Sequence, residues 1–294
     1  MTDLVKVKIL IEALPYIKKF RGKTFVIKYG GSIMKSEASK EAFIEDIVLL
    51  KLVGIQVVIV HGGGPKISDL LGRLNIETEF IKGLRKTDKQ TMEIVEMVLS
   101  GHINKELASD LCRHGINAIG ISGRDDGLIE AEKKVLWDEK EQIDIGFVGE
   151  VVGVNTKIIL DLLDGGYIPV VSPVGCDQAG NVYNINADYV AGAISASLEA
   201  EKLIVLSDVA GLYGDFNDPS TFISTITVGE IDAYIQEGGI VGGMLPKMDC
   251  CINAIKNGTK NVHLIDGSQE HSLLLEIFTN EGIGTMVKGD MADE

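Results

Sequence analysis

The chain has 294 residues, of which 45% are hydrophobic and 24% charged, and its formal net charge is −15. That length and composition suit one large α/β unit or two lobes and exclude a disordered chain. An acidic chain without a basic stripe disfavours a nucleic-acid partner, and no apolar run is long enough for a membrane span. Its four cysteines lack metal-ligand spacing. We therefore expect a soluble, cytoplasmic protein.

The first predicted element is an amphipathic helix over residues 3–20. Apolar side chains recur at helical spacing, at Leu4, Val7, Ile11, Leu14 and Ile17. Pro15 predicts a kink or break near Leu14. The apolar stripe can dock on its own domain or on another subunit, and the sequence leaves both alternatives open.

Two strands that end in glycine-rich corners follow. The first, Phe25 to Tyr29, contains Lys28 and leads into Gly30-Gly31; after a helix at 41–53, the second, Ile55 to Val60, leads into His61-Gly62-Gly63-Gly64-Pro65. Two such corners close together predict a parallel sheet with helical crossovers. Lys28 is then either a cation aimed at an anion or a lysine that extends from an edge strand into solvent.

The remaining elements predict a doubly wound α/β pattern. They are extended segments at 77–87, a helix at 89–113 interrupted near Gly101, a strand at 116–121, an antiparallel excursion at 128–137 and 147–154, a helix at 156–163, a strand at 167–171 broken by Pro169, a helix ending near Glu199, a strand at 202–207, a helix at 228–236, a helix from Met244, a strand at 262–265, a helix at 271–279 and a strand at 284–287. Asn186 is the predicted N-cap of the helix that ends near Glu199, and a helix-dipole role would suffice for Asp188 in its first turn.

Glycine-rich corners at strand ends suit phosphate, because backbone N–H groups can approach its oxygens. The Walker-type and dinucleotide fingerprints are incomplete, and serine-hydrolase and zinc-protease motifs are missing. Positive groups near the corners are few: Lys28, Arg85 and Lys247. Phosphoryl transfer needs mainly charge stabilisation and positioning, so two lysines, backbone N–H groups and an orienting aspartate suffice. A carboxylate acceptor is already ionised and needs no general base.

Several motifs occur in one order along the chain: Lys28-Tyr29-Gly30-Gly31, His61-Gly62-Gly63-Gly64-Pro65, Gly83-Leu84-Arg85, Tyr183-Asn184-Ile185-Asn186-Ala187-Asp188, Ser207-Asp208-Val209 and Gly242-Gly243-Met244-Leu245-Pro246-Lys247. Together they resemble the N-acetylglutamate kinases of the amino-acid kinase family. The resemblance implies an αβα sandwich with a mainly parallel central sheet, of the carbamate kinase-like fold. It also implies an oligomerisation helix at 1–22, an acceptor-binding and dimerisation lobe at 23–198 and an ATP- and arginine-binding lobe at 199–294. Lys82 departs from the asparagine of many relatives, which puts the local turn geometry in doubt.

The same resemblance implies that the γ-phosphoryl of ATP is transferred to the side-chain carboxylate of N-acetyl-L-glutamate, in arginine biosynthesis. Lys28 and Lys247 would neutralise the phosphoryl group, Asp188 would hold both lysines, and N–H groups near Gly31 and Gly63 would donate to it. The acceptor pocket would consist of Gly63, Gly64, Arg85, Asn184 and Asn186, with Arg85 on the α-carboxylate. The nucleotide would be bordered by Lys28, Ser207, Asp208, Gly211, Tyr213, Gly239, Gly243, Met244 and Lys247. Mg²⁺ would be held by phosphates and water, without a side-chain metal site.

A further resemblance concerns the arginine-sensitive members of the family, which assemble as hexamers, trimers of dimers, through their N-terminal helix. Their inhibitor site is similar to Tyr16, Lys202, His263, Glu276 and Gly282 here. Glu276 can pair with a guanidinium and Lys202 with a carboxylate. The alternative to arginine binding is a solvated charge for Lys202 and for Glu276. For His263 it is a strand histidine whose hydrogen bonds are satisfied, and for Tyr16 it is packing of its helix.

Two other functions remain open. One is another amino-acid or carbamate kinase of the same fold, although Arg85 and residues 184–188 favour the acetylated acceptor. The other is a non-catalytic arginine-sensing protein, against which the intact Lys28, Asp188 and Lys247 argue.

Overall fold

The computed structural model describes residues 3–31, 33, 36–138, 141–215, 218–236, 240 and 244–290. The α-helices in these residues are α1 (Asp3–Phe20), α2 (Glu37–Leu52), α3 (Gly64–Arg73), α4 (Lys89–Glu96), α5 (Asn104–Arg113), α6 (Lys157–Asp164), α7 (Ala187–Ser197), α8 (Val228–Gln236), α9 (Met244–Lys256) and α10 (Ser272–Phe278). The strands are β1 (Thr24–Tyr29), β2 (Gln56–His61), β3 (Phe80–Ile81), β4 (Leu84–Arg85), β5 (Ala118–Ser122), β6 (Ile129–Lys133), β7 (Leu136–Asp138), β8 (Glu141–Ile143), β9 (Gly149–Val154), β10 (Ile168–Ser172), β11 (Val174–Cys176), β12 (Val182–Asn184), β13 (Lys202–Ser207), β14 (Leu212–Tyr213), β15 (Phe222–Ile223), β16 (Thr225–Thr227), β17 (Asn261–Asp266) and β18 (Thr285–Lys288).

The central sheet has the strand order β16-β18-β17-β13-β1-β2-β10-β5. Its pairings are parallel except for β17 with β18. Side chains alternate between the two faces of a strand, so Val26 packs into one hydrophobic cluster and its neighbours Phe25 and Ile27 into another. Helices α6 to α9 contribute to the first cluster, and α2, α5 and α10 to the second. The predicted αβα sandwich with a mainly parallel sheet is confirmed.

A smaller four-stranded sheet, in the order β12-β11-β6-β9, contains the predicted antiparallel excursion. The hairpin β3–β4 lies apart from it and turns at Lys82 and Gly83, with φ of +49° and +80°. Asparagine adopts this left-handed conformation more readily than lysine. Lys82 therefore makes this turn less stable than asparagine would. Its Nζ donates to the carbonyl of Trp137 at 2.6 Å.

The strand around Pro169 is more regular than the sequence predicts. β10 lies inside the sheet between β2 and β5, and all of its residues are buried. Its pairing with β2 begins only at Val170, so the proline, which has no N–H to donate, lies outside that ladder. The predicted break at Pro169 is therefore wrong.

The predicted interruption of the helix at 89–113 is a π-helical segment, Met97–Ile103, between α4 and α5. Asp88 caps α4 by accepting from the Thr91 N–H at 2.7 Å. π-Helical turns are rare and occur often at functional sites. This one packs against the second glycine corner: a Cβ atom on Gly63 would lie 2.6 Å from Leu99 and 2.5 Å from Ile103.

Helix α1 runs through Pro15 to Phe20, so the proline does not end it as a predicted break would. Phe20 is buried, whereas Val7, Ile11 and Leu14 are 50%, 57% and 45% exposed. The apolar stripe is therefore not docked on its own domain at these positions. Among the described helices, none is long and apolar enough to cross a membrane.

Candidate active site

Lys28 lies at the end of an interior strand. β1 pairs with β13 on one side and β2 on the other, both in parallel, so the carboxyl ends of these strands meet at one edge of the sheet. Lys28 is only 8% exposed. The alternative of a lysine extending from an edge strand into solvent is therefore wrong, and the buried cation needs a partner.

That partner is Asp188. Lys28 Nζ lies 2.9 Å from Asp188 Oδ1, and Lys247 Nζ lies 3.9 Å from Asp188 Oδ2. Asp188 belongs to the first turn of α7 because Asn186 caps this helix, its Oδ1 accepting from the Asp188 N–H at 2.8 Å. Burial opposes ionisation of the carboxyl group, but the charges of Lys28 and Lys247 outweigh it and lower the pKa of Asp188. We call this trio the lysine clamp; its formal charge of about +1 attracts an anion.

Cys250, for which the sequence predicts no functional role, also takes part in this arrangement. Its Sγ–H donates to the backbone carbonyl of Asp188 at 2.9 Å and so joins α9, which contains Lys247, to the start of α7. Burial raises the pKa of the Cys250 thiol and keeps it protonated as a donor. In the sequence, an adjacent cysteine pair on a helical stretch indicates only packing.

The two glycine corners lie against each other. A Cβ atom on Gly31 would lie 3.1 Å from the nitrogen of Gly63 and 3.1 Å from Pro65 Cδ. The Gly62 N–H donates to the carbonyl of Tyr29 at 2.9 Å. The absence of side chains thus lets two backbone segments approach closely enough to present N–H groups to one bound group.

Arg85 lies beside the second corner and is 6% exposed. Its Nη2 donates to the carbonyl of Gly64 at 3.2 Å and to Ser68 Oγ at 2.7 Å, and its guanidinium carbon lies 4.6 Å from the ring centroid of Phe80. Burial lowers the pKa of Arg85. Its Nη1 is buried and has no hydrogen-bond partner in the described part of the chain, so one side of the fork can take an anionic ligand.

Thr87 connects two predicted acceptor residues. Its hydroxyl donates to the carbonyl of Arg85 at 2.7 Å and accepts from Asn184 Nδ2 at 3.3 Å. Neither Thr87 nor Ser68 is predicted as a site residue, since a lone hydroxyl residue gives no local signal of its partner.

The predicted nucleotide-binding residues lie around the end of β13. Ser207 is the last residue of that strand and is buried, and Asp208 after it is exposed. Gly211 packs so closely that a Cβ atom there would lie 2.4 Å from Thr285 Oγ1. The ring of Tyr213 lies 5.3 Å from that of Phe222, centroid to centroid. Met244 begins α9 and is partly buried.

Two further residues of that prediction, Gly239 and Gly243, lie outside the described residues. Across the ranges that the structure describes, no group of three or more His, Cys, Asp or Glu side chains could hold a metal ion.

Three residues of the predicted arginine-binding site form a buried hydrogen-bonded chain, which we call the relay, at the other end of β13. Lys202 Nζ lies 2.6 Å from His263 Nε2, and His263 Nδ1 lies 2.5 Å from Glu276 Oε1. Glu276 Oε2 also accepts from the N–H groups of Ile283 and Gly284 at 2.8 and 2.9 Å. Lys202 and Glu276 are 8% and 9% exposed, so the alternative of solvated charges is wrong.

Gly282 and Tyr16 are the other two residues of the predicted arginine-binding site. A Cβ atom on Gly282 would lie 2.7 Å from Glu276 Oε2, and the Tyr16 hydroxyl donates to Asn280 Oδ1. Burial lowers the pKa of Lys202 to about 8, against the opposing charge of Glu276. Burial likewise lowers the pKa of His263, whereas hydrogen bonds overcome burial and lower that of Glu276. The structure therefore brings Lys202, His263, Glu276 and Gly282 together, and Tyr16 bonds to Asn280, two residues before Gly282.

Residues 23–266 match the family model for the amino acid kinase family. This chain belongs to the amino acid kinase family. Among members of this family, it is 51% identical over 289 residues to acetylglutamate kinase from Heliobacterium modesticaldum, with 97% of this chain and 98% of that protein covered. The family membership predicted from the motifs is confirmed.

Solved structures show the same fold as this amino acid kinase. N-acetylglutamate synthase from Neisseria gonorrhoeae, complexed with coenzyme A and N-acetyl-glutamate, superposes with a TM-score of 0.84 at 24% identity. The match covers 97% of this chain and 64% of the synthase chain. Carbamate kinase from Giardia lamblia bound to AMP-PNP has a TM-score of 0.64 at 16% identity, covering 92% and 99%. The predicted carbamate kinase-like fold is thus confirmed.

Proposed function

We propose that this amino acid kinase transfers the γ-phosphoryl of ATP to the side-chain carboxylate of N-acetyl-L-glutamate, giving N-acetyl-L-glutamyl 5-phosphate and ADP in arginine biosynthesis. The observation that carries the proposal is the lysine clamp, in which Lys28 and Lys247 contact opposite oxygens of Asp188. The high identity to a full-length acetylglutamate kinase supports the choice of acceptor.

The acceptor carboxylate attacks the γ-phosphorus, an O–P bond forms, and the bond from the γ-phosphorus to the bridging oxygen breaks as ADP leaves. Lys28 and Lys247 offset negative charge on the transferring group, and N–H groups at Gly31 and Gly63 donate to its oxygens. Asp188 orients the lysines and does not act as a base, because its pKa lies below its usual value and the acceptor is already ionised.

On the acceptor side, the buried and unpartnered Nη1 of Arg85 is suited to the α-carboxylate of the substrate. Gly64 lies within hydrogen-bond reach of the same guanidinium. Asn184 is linked to Arg85 through Thr87, and Asn186 begins the helix of Asp188. These residues form the proposed acceptor pocket.

The proposed nucleotide site includes Lys28, Lys247, Ser207, Asp208, Gly211, Tyr213, Gly239, Gly243 and Met244. Apart from Lys28, which belongs to the proposed acceptor lobe at 23–198, these residues belong to the proposed ATP-binding lobe at 199–294. Positively charged groups and N–H donors predominate beside the lysine clamp, and neither can be a ligand of Mg²⁺. The Mg²⁺ would therefore be held mainly by phosphates and water. All four cysteines are free thiols, which agrees with the cytoplasmic location that we propose.

The direct test is a coupled assay of ADP release with N-acetylglutamate, glutamate, aspartate or carbamate as acceptor. We expect turnover with N-acetylglutamate to exceed that with each other acceptor. Preference for another acceptor would assign a different kinase activity. Absence of turnover with all four would support a non-catalytic arginine-sensing protein.

We also propose that L-arginine inhibits the enzyme at Tyr16, Lys202, His263, Glu276 and Gly282. The support is a buried carboxylate and a buried lysine placed on either side of one histidine. Glu276 can take the guanidinium and Lys202 the carboxylate of a bound arginine, although each must exchange part of its present contacts.

Arginine inhibition should weaken as the pH rises through about 8, where Lys202 loses its charge. The pKa values of Glu276 and His263 are lowered, so Glu276 stays ionised and His263 neutral over this range. The measurement is the arginine concentration for half-inhibition against pH. Lys202→Arg is the control, because arginine stays charged and should remove the dependence. The same pH dependence in that variant would contradict the role of Lys202.

We further propose a homo-oligomer, a hexamer built as a trimer of dimers, in which a second copy covers the apolar stripe of α1. Deleting residues 1–14 removes Val7, Ile11 and Leu14, which are exposed, and keeps Tyr16 and the buried Phe20. We expect a smaller particle by light scattering and weaker arginine inhibition, with uninhibited kcat within about twofold. Glu12→Ala is the control with the helix intact. An unchanged mass would contradict this role of the helix.

A further inference from the structure

The proposed mechanism leaves one buried histidine at the site without a role. His61 ends β2, immediately precedes the second glycine corner and has no exposed surface. Its Nδ1 lies 3.0 Å from the carbonyl oxygen of Gly62, and its Nε2 lies 3.2 Å from Asn104 Nδ2. Asn104 is also fully buried and begins α5, directly after the π-helical segment.

The contacts of Asn104 determine which histidine nitrogen carries the proton. Asn104 Nδ2 donates to the carbonyls of Val170 at 2.8 Å and Ile121 at 3.2 Å, so the nitrogen side of the amide faces the histidine. Both amide hydrogens are directed to these carbonyls and an amide nitrogen does not accept, so a proton on Nε2 of His61 would have no acceptor there, whereas the Gly62 carbonyl can accept one from Nδ1. The proton is then on Nδ1, which donates to the Gly62 carbonyl. Burial lowers the pKa of His61 to about 4, so the ring stays neutral.

This hydrogen bond controls a donor on the other side of the same peptide. The Gly62 carbonyl and the Gly63 N–H belong to one planar peptide unit and point in opposite directions. Holding the carbonyl oxygen therefore fixes the direction of the N–H. Two glycines have few steric restrictions of their own. The Gly63 nitrogen lies near the first corner, 3.1 Å from the position that a Cβ of Gly31 would occupy.

We propose that His61 is a positioning residue that locks the Gly62–Gly63 peptide, so that the Gly63 N–H stays directed at the transferring phosphoryl group. Asn104 offers Nε2 of His61 no acceptor and so favours the required tautomer, and the π-helical segment places Asn104. This inference rests on the proposed kinase function. It assigns His61 no contact with substrate and predicts an effect on kcat, since the N–H contributes most when charge develops in the transition state.

The test compares His61→Asn with His61→Gln. The asparagine amide nitrogen can occupy the position of Nδ1 and keep the bond to Gly62, whereas the longer glutamine reaches the position of Nε2 and loses it. We expect kcat to fall roughly 100-fold in His61→Gln and only about tenfold in His61→Asn. The KM values for both substrates should change little. If His61 only fills space, glutamine, which is closer in size to histidine, should retain the higher activity.

A second measurement does not depend on the variants folding. In a long-range ¹H–¹⁵N spectrum of the wild-type protein labelled at its histidine nitrogens, His61 should be the neutral Nδ1-protonated tautomer at neutral pH. An Nε2-protonated or doubly protonated ring overturns the inference. So does a His61→Gln protein with wild-type kcat. Wild-type protein that releases no ADP with N-acetylglutamate instead overturns the proposed function, while the tautomer still reports on the histidine.

Discussion

Replacing Lys28 with methionine is expected to lower kcat by about 1,000-fold with little change in KM, because the lysine charge contributes mainly while the phosphoryl group is being transferred. Methionine keeps most of the apolar stem and avoids a cavity at a position that is 8% exposed. Lys247→Met should act in the same direction. The measurement is steady-state ADP release with acetylglutamate.

Lys28→Met should also destabilise the fold by about 3 kcal/mol, since it removes one partner of a buried ion pair. The double variant Lys28→Met/Asp188→Asn should recover part of the lost unfolding free energy and none of the activity. Lys260→Met is the matched control, because Lys260 Nζ lies 3.2 Å from Glu201 Oε2 outside the site. Near-normal turnover in stable Lys28→Met would remove this lysine from the mechanism.

Replacing Arg85 with lysine is expected to raise the KM for acetylglutamate by about 100-fold and to leave the KM for ATP unchanged. The guanidinium donates to Gly64 and Ser68 through Nη2 while Nη1 remains available. An ammonium group cannot reproduce this planar fork. Ser68→Ala should give a smaller increase, of about fivefold, because the guanidinium keeps its charge and loses only one of its two hydrogen bonds.

Arg73→Lys is the control for the Arg85 variant, since Arg73 is largely exposed and pairs only weakly with Asp69, at 3.8 Å. Initial rates measured with each substrate varied in turn separate the two KM values. An unchanged KM for acetylglutamate would exclude Arg85 from acceptor binding. A rise in the KM for ATP alone would assign Arg85 to the nucleotide side.

Local sequence signals predicted most elements of the fold. The strand at 202–207 has the observed bounds of β13, and the helix at 228–236 those of α8, because their apolar runs and breaks coincide with their ends. The helix predicted to begin at Glu41 begins at Glu37, where Ser36 accepts from the Ser39 N–H at 3.3 Å. That cap lies outside the apolar pattern, so hydrophobic periodicity missed it.

The sequence by itself determined that two strands end in glycine corners and that Asn186 begins a helix with Asp188 in its first turn. These features depend on neighbours within a few residues. Only the tertiary structure decided that Lys28 is buried and needs a partner, that Lys202 is linked to Glu276 through His263 and that His61 lies between the Gly62 carbonyl and Asn104. Most of these contacts join residues that are distant in the chain, and they are set by the register of β1, β2, β13 and β17 and by the helices packed on them, which no local pattern specifies.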